Sequence, residues 1–176
     1  MTESITPAAA PDTIDAAAGL RDGDAVATLR RARDKVLLHT RLSETALFDP
    51  ALPDLSLIER LHAARYVAQR SNAHALAATY RTRLLDAGGT VEEIAHADAD
   101  AFDALAPRVG AILAHARLLT EAPVHARPSD LDALKSAGLT TPAIVALSQL
   151  VAFVAYQLRV AAAAQALHAR ATKEAA

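Results

Sequence analysis

Alanine constrains this chain more than any other residue. It occurs in runs at Ala8–Ala10, Ala16–Ala18 and Ala161–Ala164 and singly along most of the length. Alanine is the best helix former, because it loses no side-chain freedom in a helix. Its small side chain also lets neighbouring helices approach closely. Valine, isoleucine and threonine do not gather into alternating runs, so strands have little support. With 52% hydrophobic and 22% charged residues over 176 positions, the chain can bury one core. The expected fold class is all-α.

Helix-ending and helix-starting signals divide the chain. Residues 1–11 read as a flexible tail and residues 12–55 as an N-terminal helical extension, broken near Gly23 and again near Asp34. Pro50 and Pro53 mark a turn before the main domain, residues 56–176. Ser56 with Glu59 forms a capping box that opens a helix from Leu57 to about Arg70. A second helix is expected over 73–86, ended by Gly88 and Gly89, and Thr90 with Glu93 opens the next. Pro107 suits the first turn of a helix to about Thr120. A short helix starts over Ser129 to Asp132 and ends at Gly138. Thr141 then caps, and Pro142 takes the first position of a long helix to about Lys173. Ala-Gly-x-Thr-x-x-x-Ile occurs twice, at Ala87 to Ile94 and at Ala137 to Ile144. It reads either as shared junction chemistry or as a duplicated helical hairpin.

Composition excludes several functions. The chain has no cysteine, so thiol nucleophiles, disulfides and thiolate metal sites are all ruled out. A formal charge of -2 leaves no cationic excess for phosphates, and 3% aromatics leaves few rings for stacking on bases, so nucleic acid is not an expected partner. Residues 1–11 lack a basic start and a long apolar stretch, so no signal peptide is expected. The apolar stretch Ala143 to Ala166 carries Ser148, Gln149, Gln157, Arg159 and Gln165, which would be costly in lipid. A buried or interface helix is expected there, in a cytoplasmic protein away from membranes.

Candidate chemistry rests on a few side chains. Ala73, Leu76, Ala77, Tyr80 and Leu84 share one helical stripe, so Tyr80 reads as a core aromatic with a bonded hydroxyl, or as a pocket donor. His62, Tyr66 and Gln69 form a polar stripe that reads first as a solvated face and second as a proton relay. His74 is expected to face solvent. Gln149 and Tyr156 share one face of the last helix. Arg159 in that apolar setting reads as half of a structural ion pair, or as a clamp for a substrate carboxylate. Glu92, Glu93 and His96 have no matching group elsewhere, so no metal and no cofactor are expected.

The segment Asp86-Ala87-Gly88-Gly89-Thr90-Val91-Glu92-Glu93-Ile94, with Arg117 to Thr120 and the helix Gln149 to Arg159, resembles the AhpD-like superfamily. That group holds carboxymuconolactone decarboxylases and alkylhydroperoxidases. The resemblance covers roughly half of the chain. It implies an AhpD-like helical fold of antioxidant ancestry that forms homo-oligomers, dimers or higher. Counting back from Gly88 puts the family's redox cysteines at Ala73 and Leu76 and its histidine at Tyr80. The acidic relay position falls near Leu61, two residues from Glu59. The resemblance therefore implies a protein that is not a thiol peroxidase and whose site near Tyr80 is altered or degenerate. Two functions follow. One is a cysteine-free enzyme on a small organic acid or lactone, with Tyr80 and His62 moving protons, and Arg159, Gln149, Tyr156 and His74 binding. The other is a non-catalytic subunit, alone or paired with another AhpD-like protein.

Overall fold

A computed structural model describes residues 12–174. Among them every regular element is helical. The expected tail over 1–11 lies outside the described residues. The helices are α1 (Thr13–Ala17), α2 (Ala25–Arg31), α3 (Asp34–Leu47), α4 (Leu57–Arg70), α5 (His74–Asp86), α6 (Val91–Asp98), α7 (Pro107–Glu121), α8 (Pro128–Ser136) and α9 (Thr141–Glu174), with single 3-10 turns at Phe102–Ala104 and Pro123–His125.

Helix α4 is the centre. It packs against α5, α7 and α9, and α6 touches it as well. Every residue from Glu59 to Ala68 is buried. Ala63, Ala64 and Ala68 make this enclosure feasible, since methyl groups let three neighbours come close at once. Its start is the Ser56 capping box, with both reciprocal hydrogen bonds formed. Ser56→Ala is expected to cost about 1 kcal/mol, measured by urea denaturation, because the Glu59 amide loses its acceptor.

The N-terminal helices are part of the same core. Helix α1 packs on α5 and α9, and α2 and α3 pack on α9. Ile14, Val26, Phe48 and Leu55 join the core cluster with Leu61, Leu84, Ile112 and Leu147. Arg60, almost wholly buried, donates to the carbonyls of Leu47 (3.0 Å) and Asp49 (2.8 Å). It thereby satisfies the end of α3 from within α4. Arg108 of α7 donates to Glu59 (2.5 Å), to the Gly138 carbonyl (2.6 Å) and to the Asp54 carbonyl. Three separate chain segments thus meet on one guanidinium.

The two repeated junctions have the same geometry. Gly88 and Gly138 both have positive φ, 99° and 86°. After each, an amide reaches back five residues, Gly89 to Leu84 (2.9 Å) and Leu139 to Leu134 (3.0 Å). Thr90 and Thr140 then accept from the amides of Glu93 and Ala143. The cap of α9 is therefore Thr140 rather than Thr141. Thr141 already lies inside the helix, because the Thr140 hydroxyl is the one within reach of the third amide.

Helix α9 is long and apolar enough to cross a membrane by length and composition, and less than half of its most apolar stretch is buried. One stripe, including Leu147, Leu150, Val154, Gln157, Ala161 and Ala164, faces the core. Val145, Tyr156 and Leu167 are exposed on the other side.

Candidate functional site

Tyr80 is 0% exposed, and its hydroxyl donates to Gln157 Oε1 at 2.5 Å. Gln157 Nε2 in turn donates to Glu44 Oε2 at 3.2 Å. The other Glu44 oxygen accepts from Thr13 Oγ1 (2.8 Å) and Arg83 Nη1 (2.9 Å). A connected polar chain therefore runs from the core to the surface through α5, α9, α3 and α1. The Phe48 ring stacks on Tyr80 with centroids 5.3 Å apart, and the Arg83 guanidinium lies 4.3 Å above Phe48. Burial pushes the Tyr80 phenol well above its ordinary value, and the Glu44 carboxylate adds to that. This tyrosine is a fixed hydrogen-bond donor and a poor base.

Outside that cover lies an open cleft of about 580 Å³. Asp12, Arg41, Glu44, Phe48, Asp49 and Arg83 line it. Most of its charges are paired, and Asp49 accepts from the Ala51 amide. Asp12 caps α1 and also accepts from Arg30 and Arg41, and Glu44 holds Arg83. Glu44, Gln157, Phe48 and Arg83 were not singled out by the sequence reading. The available signal was the spacing of Thr40, Glu44 and Phe48 on one face of α3.

Ala73 and Leu76 sit elsewhere. Ala73 precedes α5 and is half-buried, and Leu76 is buried in the core. With His74 they border a cavity of about 350 Å³ closed on the far side by Ala161, Ala162 and Gln165. His74 is exposed, as expected. Glu59, beside the expected acidic relay position, is committed to Ser56 and Arg108.

His62 and Tyr66 do not form a solvated face. His62 is 1% exposed and Tyr66 is 0% exposed, and only Gln69 is partly open. The physical reason is the enclosure of α4 on all sides, which no local pattern announces. His62 Nε2 lies 3.7 Å from Glu93 Oε2, beyond a hydrogen bond, and has no other partner among the described residues. Burial lowers the His62 pKa against the pull of Glu93, and Arg65 lowers it further. Glu93 is held below its usual carboxylate range, chiefly by the Thr90 backbone amide. Tyr66 donates to Asp100 at 2.5 Å. His62 and Tyr80 therefore occupy two distinct surroundings, one facing Glu93 of α6, the other Gln157 of α9.

The last helix departs from expectation at Arg159. Its side chain is exposed and bonds only to the Ala155 carbonyl (3.0 Å), with no carboxylate partner among the described residues. A turn of helix carries it past the buried stripe to the rim. Gln149 is exposed on the outer face, and Tyr156 pairs with Thr40 of α3 (3.1 Å). Gln149, Tyr156, Arg159, His74, His62 and Tyr80 thus do not converge on one cavity. His96 sits 3.8 Å from Glu92 on the surface of α6, and Glu93 completes the capping box whose cap is Thr90. Among the described residues, no three His, Asp or Glu side chains gather closely enough to hold a metal.

Fold and site together define a protein that is all-helical among the described residues and carries a buried tyrosine–glutamine–glutamate chain. No family model, no curated protein and no solved structure matches this chain.

Proposed function

We propose that this chain is an AhpD-like protein of alkylhydroperoxidase ancestry whose former redox centre has become packing. It acts in the cytoplasm as a non-catalytic subunit that assembles with itself or with another AhpD-like protein, away from membranes and nucleic acid. The sealed Tyr80 carries this reading. At the position of the superfamily's histidine stands a phenol that is 0% exposed, covered by Phe48 and committed to Gln157. A group that must exchange protons with a substrate needs to be within reach of it.

Assembly is supported by the outer face of α9 and its neighbour α3. Val36, Val145, Tyr156 and Leu167 are all more than a third exposed there. A nearly apolar groove of about 390 Å³ between Val36, His39, Phe153 and Tyr156 continues that face. Large apolar areas on a small domain mark association. Native mass measurement at micromolar concentration should return a dimer or higher species. Val145→Glu combined with Tyr156→Glu should shift it to monomer with unchanged helicity. A wild-type monomer would overturn the assembly.

One observation favours a cysteine-free enzyme on a small organic acid or lactone instead, namely the cavity beside Ala73, His74 and Leu76. In that case Ala73→Leu, which narrows the cavity, abolishes lactone turnover. Absence of turnover by the wild-type chain across a lactone panel returns the reading to the subunit.

A further inference from the structure

A separate cavity of about 280 Å³ opens between the ends of α4 and α7 and the middle of α9. Its walls are apolar, formed by Val67, Leu119, Val151, Ala155 and Leu158. Arg159 stands at its rim and, among the described residues, is the only ionisable side chain that lines it. This sets it apart from the cleft at Glu44, where both lining arginines, Arg41 and Arg83, already hold a carboxylate.

The chemistry of the lining is specific. The Arg159 guanidinium has five N–H donors, and one of them is used, on the carbonyl of Ala155. The rest can take both oxygens of a carboxylate in a planar fork. The hydroxyls of Thr120 and Ser148 donate to the carbonyls of Ala116 (2.7 Å) and Ile144 (3.0 Å). Their protons are committed, so they add no donors and leave the walls suited to hydrocarbon. Ser71 lines the cavity as well, at the turn after α4. Among the described residues, no acidic side chain lines the space to repel an anion.

We propose that this cavity binds a small monocarboxylate with an apolar body, its tail between Val67, Leu119 and Val151 and its carboxylate on Arg159. The volume lies at the lower edge of the range of about 300–1,000 Å³ usual for ligand pockets, so the body is short. A six-carbon chain or a single ring is the fitting size. Ser71 and Leu158 also border the cavity beside Ala73, whereas Ala155 and Arg159 line this cavity and not that one, so substitutions at those two positions report on this site.

The test is calorimetric titration of the full chain with sodium hexanoate and, separately, with 1-hexanol. Hexanoate should bind at least about tenfold more tightly than hexanol, the factor expected for hydrogen bonds to a charged group. Arg159→Gln should remove that preference while leaving the weak hexanol binding, since the residue is exposed and its loss leaves the core intact. Ala155→Leu, which fills the cavity, should weaken both ligands. No saturable hexanoate binding, equal affinity for the two probes, or a preference that survives Arg159→Gln would each overturn the proposal. Loss of oligomerisation in the native mass measurement would leave this result unmoved.

Discussion

Replacing Glu44 with alanine should lower the unfolding free energy by about 3 kcal/mol, measured by urea denaturation at pH 7. The carboxylate accepts from Thr13, Arg83 and Gln157, so three donors lose their acceptor together. Arg83 is partly exposed and can return to water, which limits its share. The Gln157 amide is 0% exposed and cannot do so. Most of the loss therefore comes from a stranded amide whose orientation also fixes the Tyr80 hydroxyl. Glu44→Gln should cost less, because one oxygen survives to accept from Arg83 or Gln157. In a double-mutant cycle, Glu44→Ala and Gln157→Ala should be clearly non-additive, since the second change removes the group that the first strands. A loss below about 1 kcal/mol for Glu44→Ala would show that the chain from Tyr80 to the surface contributes little.

Acid should destabilise this protein well before its carboxylates titrate. Burial lowers the pKa of His62, with Arg65 lowering it further and Glu93 opposing. Burial also lowers that of His115, against a weaker pull from Asp130. Both nitrogens of His115 lack a partner among the described residues. In the unfolded chain both histidines protonate near pH ~6.5. Above that value both states are neutral and neither histidine affects stability. Below it the unfolded chain binds protons that the native state refuses, so stability falls as pH falls. The limiting slope is about 1.4 kcal/mol per pH unit for each histidine, and it persists down to the native pKa values. Urea midpoints should drop steadily from pH 6.5 downward. His115→Leu should roughly halve that slope while leaving stability at pH 7.5 similar or higher. A flat profile between pH 7 and 5 in the wild-type chain would contradict the burial of both groups.

The positions of the helices were readable from short spans of sequence. Ser56 with Glu59, Thr90 with Glu93, and the glycines at 88 and 138 act within a few residues of themselves, so the signal and its effect share one window. The break before Asp34 and the helix start at Pro107 were legible for the same reason. Tyr80 was also placed correctly as a core aromatic with a bonded hydroxyl, because its stripe repeats at helical spacing. Its partner was not legible, since Gln157 lies on a helix 77 residues away.

The sequence alone determined that this protein is helical, where most of its helices begin and end to within a residue or two, and that it has no thiol to react. Which helix would be enclosed was decided only in three dimensions. On periodicity, α4 has a polar stripe at His62, Tyr66 and Gln69 that should face water. Four helices close around it, and two of the three residues are buried. Conversely, Arg159 sits in the most apolar stretch of the chain yet reaches solvent at the rim of a cavity. Local pattern fixes what a segment can form, because helix hydrogen bonds and caps span only a few residues. Burial is a property of what packs against it, and that depends on contacts between segments far apart in the chain. Cysteine and its absence follow the same division. That the chain has none is plain in the sequence, while the tertiary structure decided that Leu76 is core, Ala73 borders a cavity and Tyr80 is sealed behind Phe48.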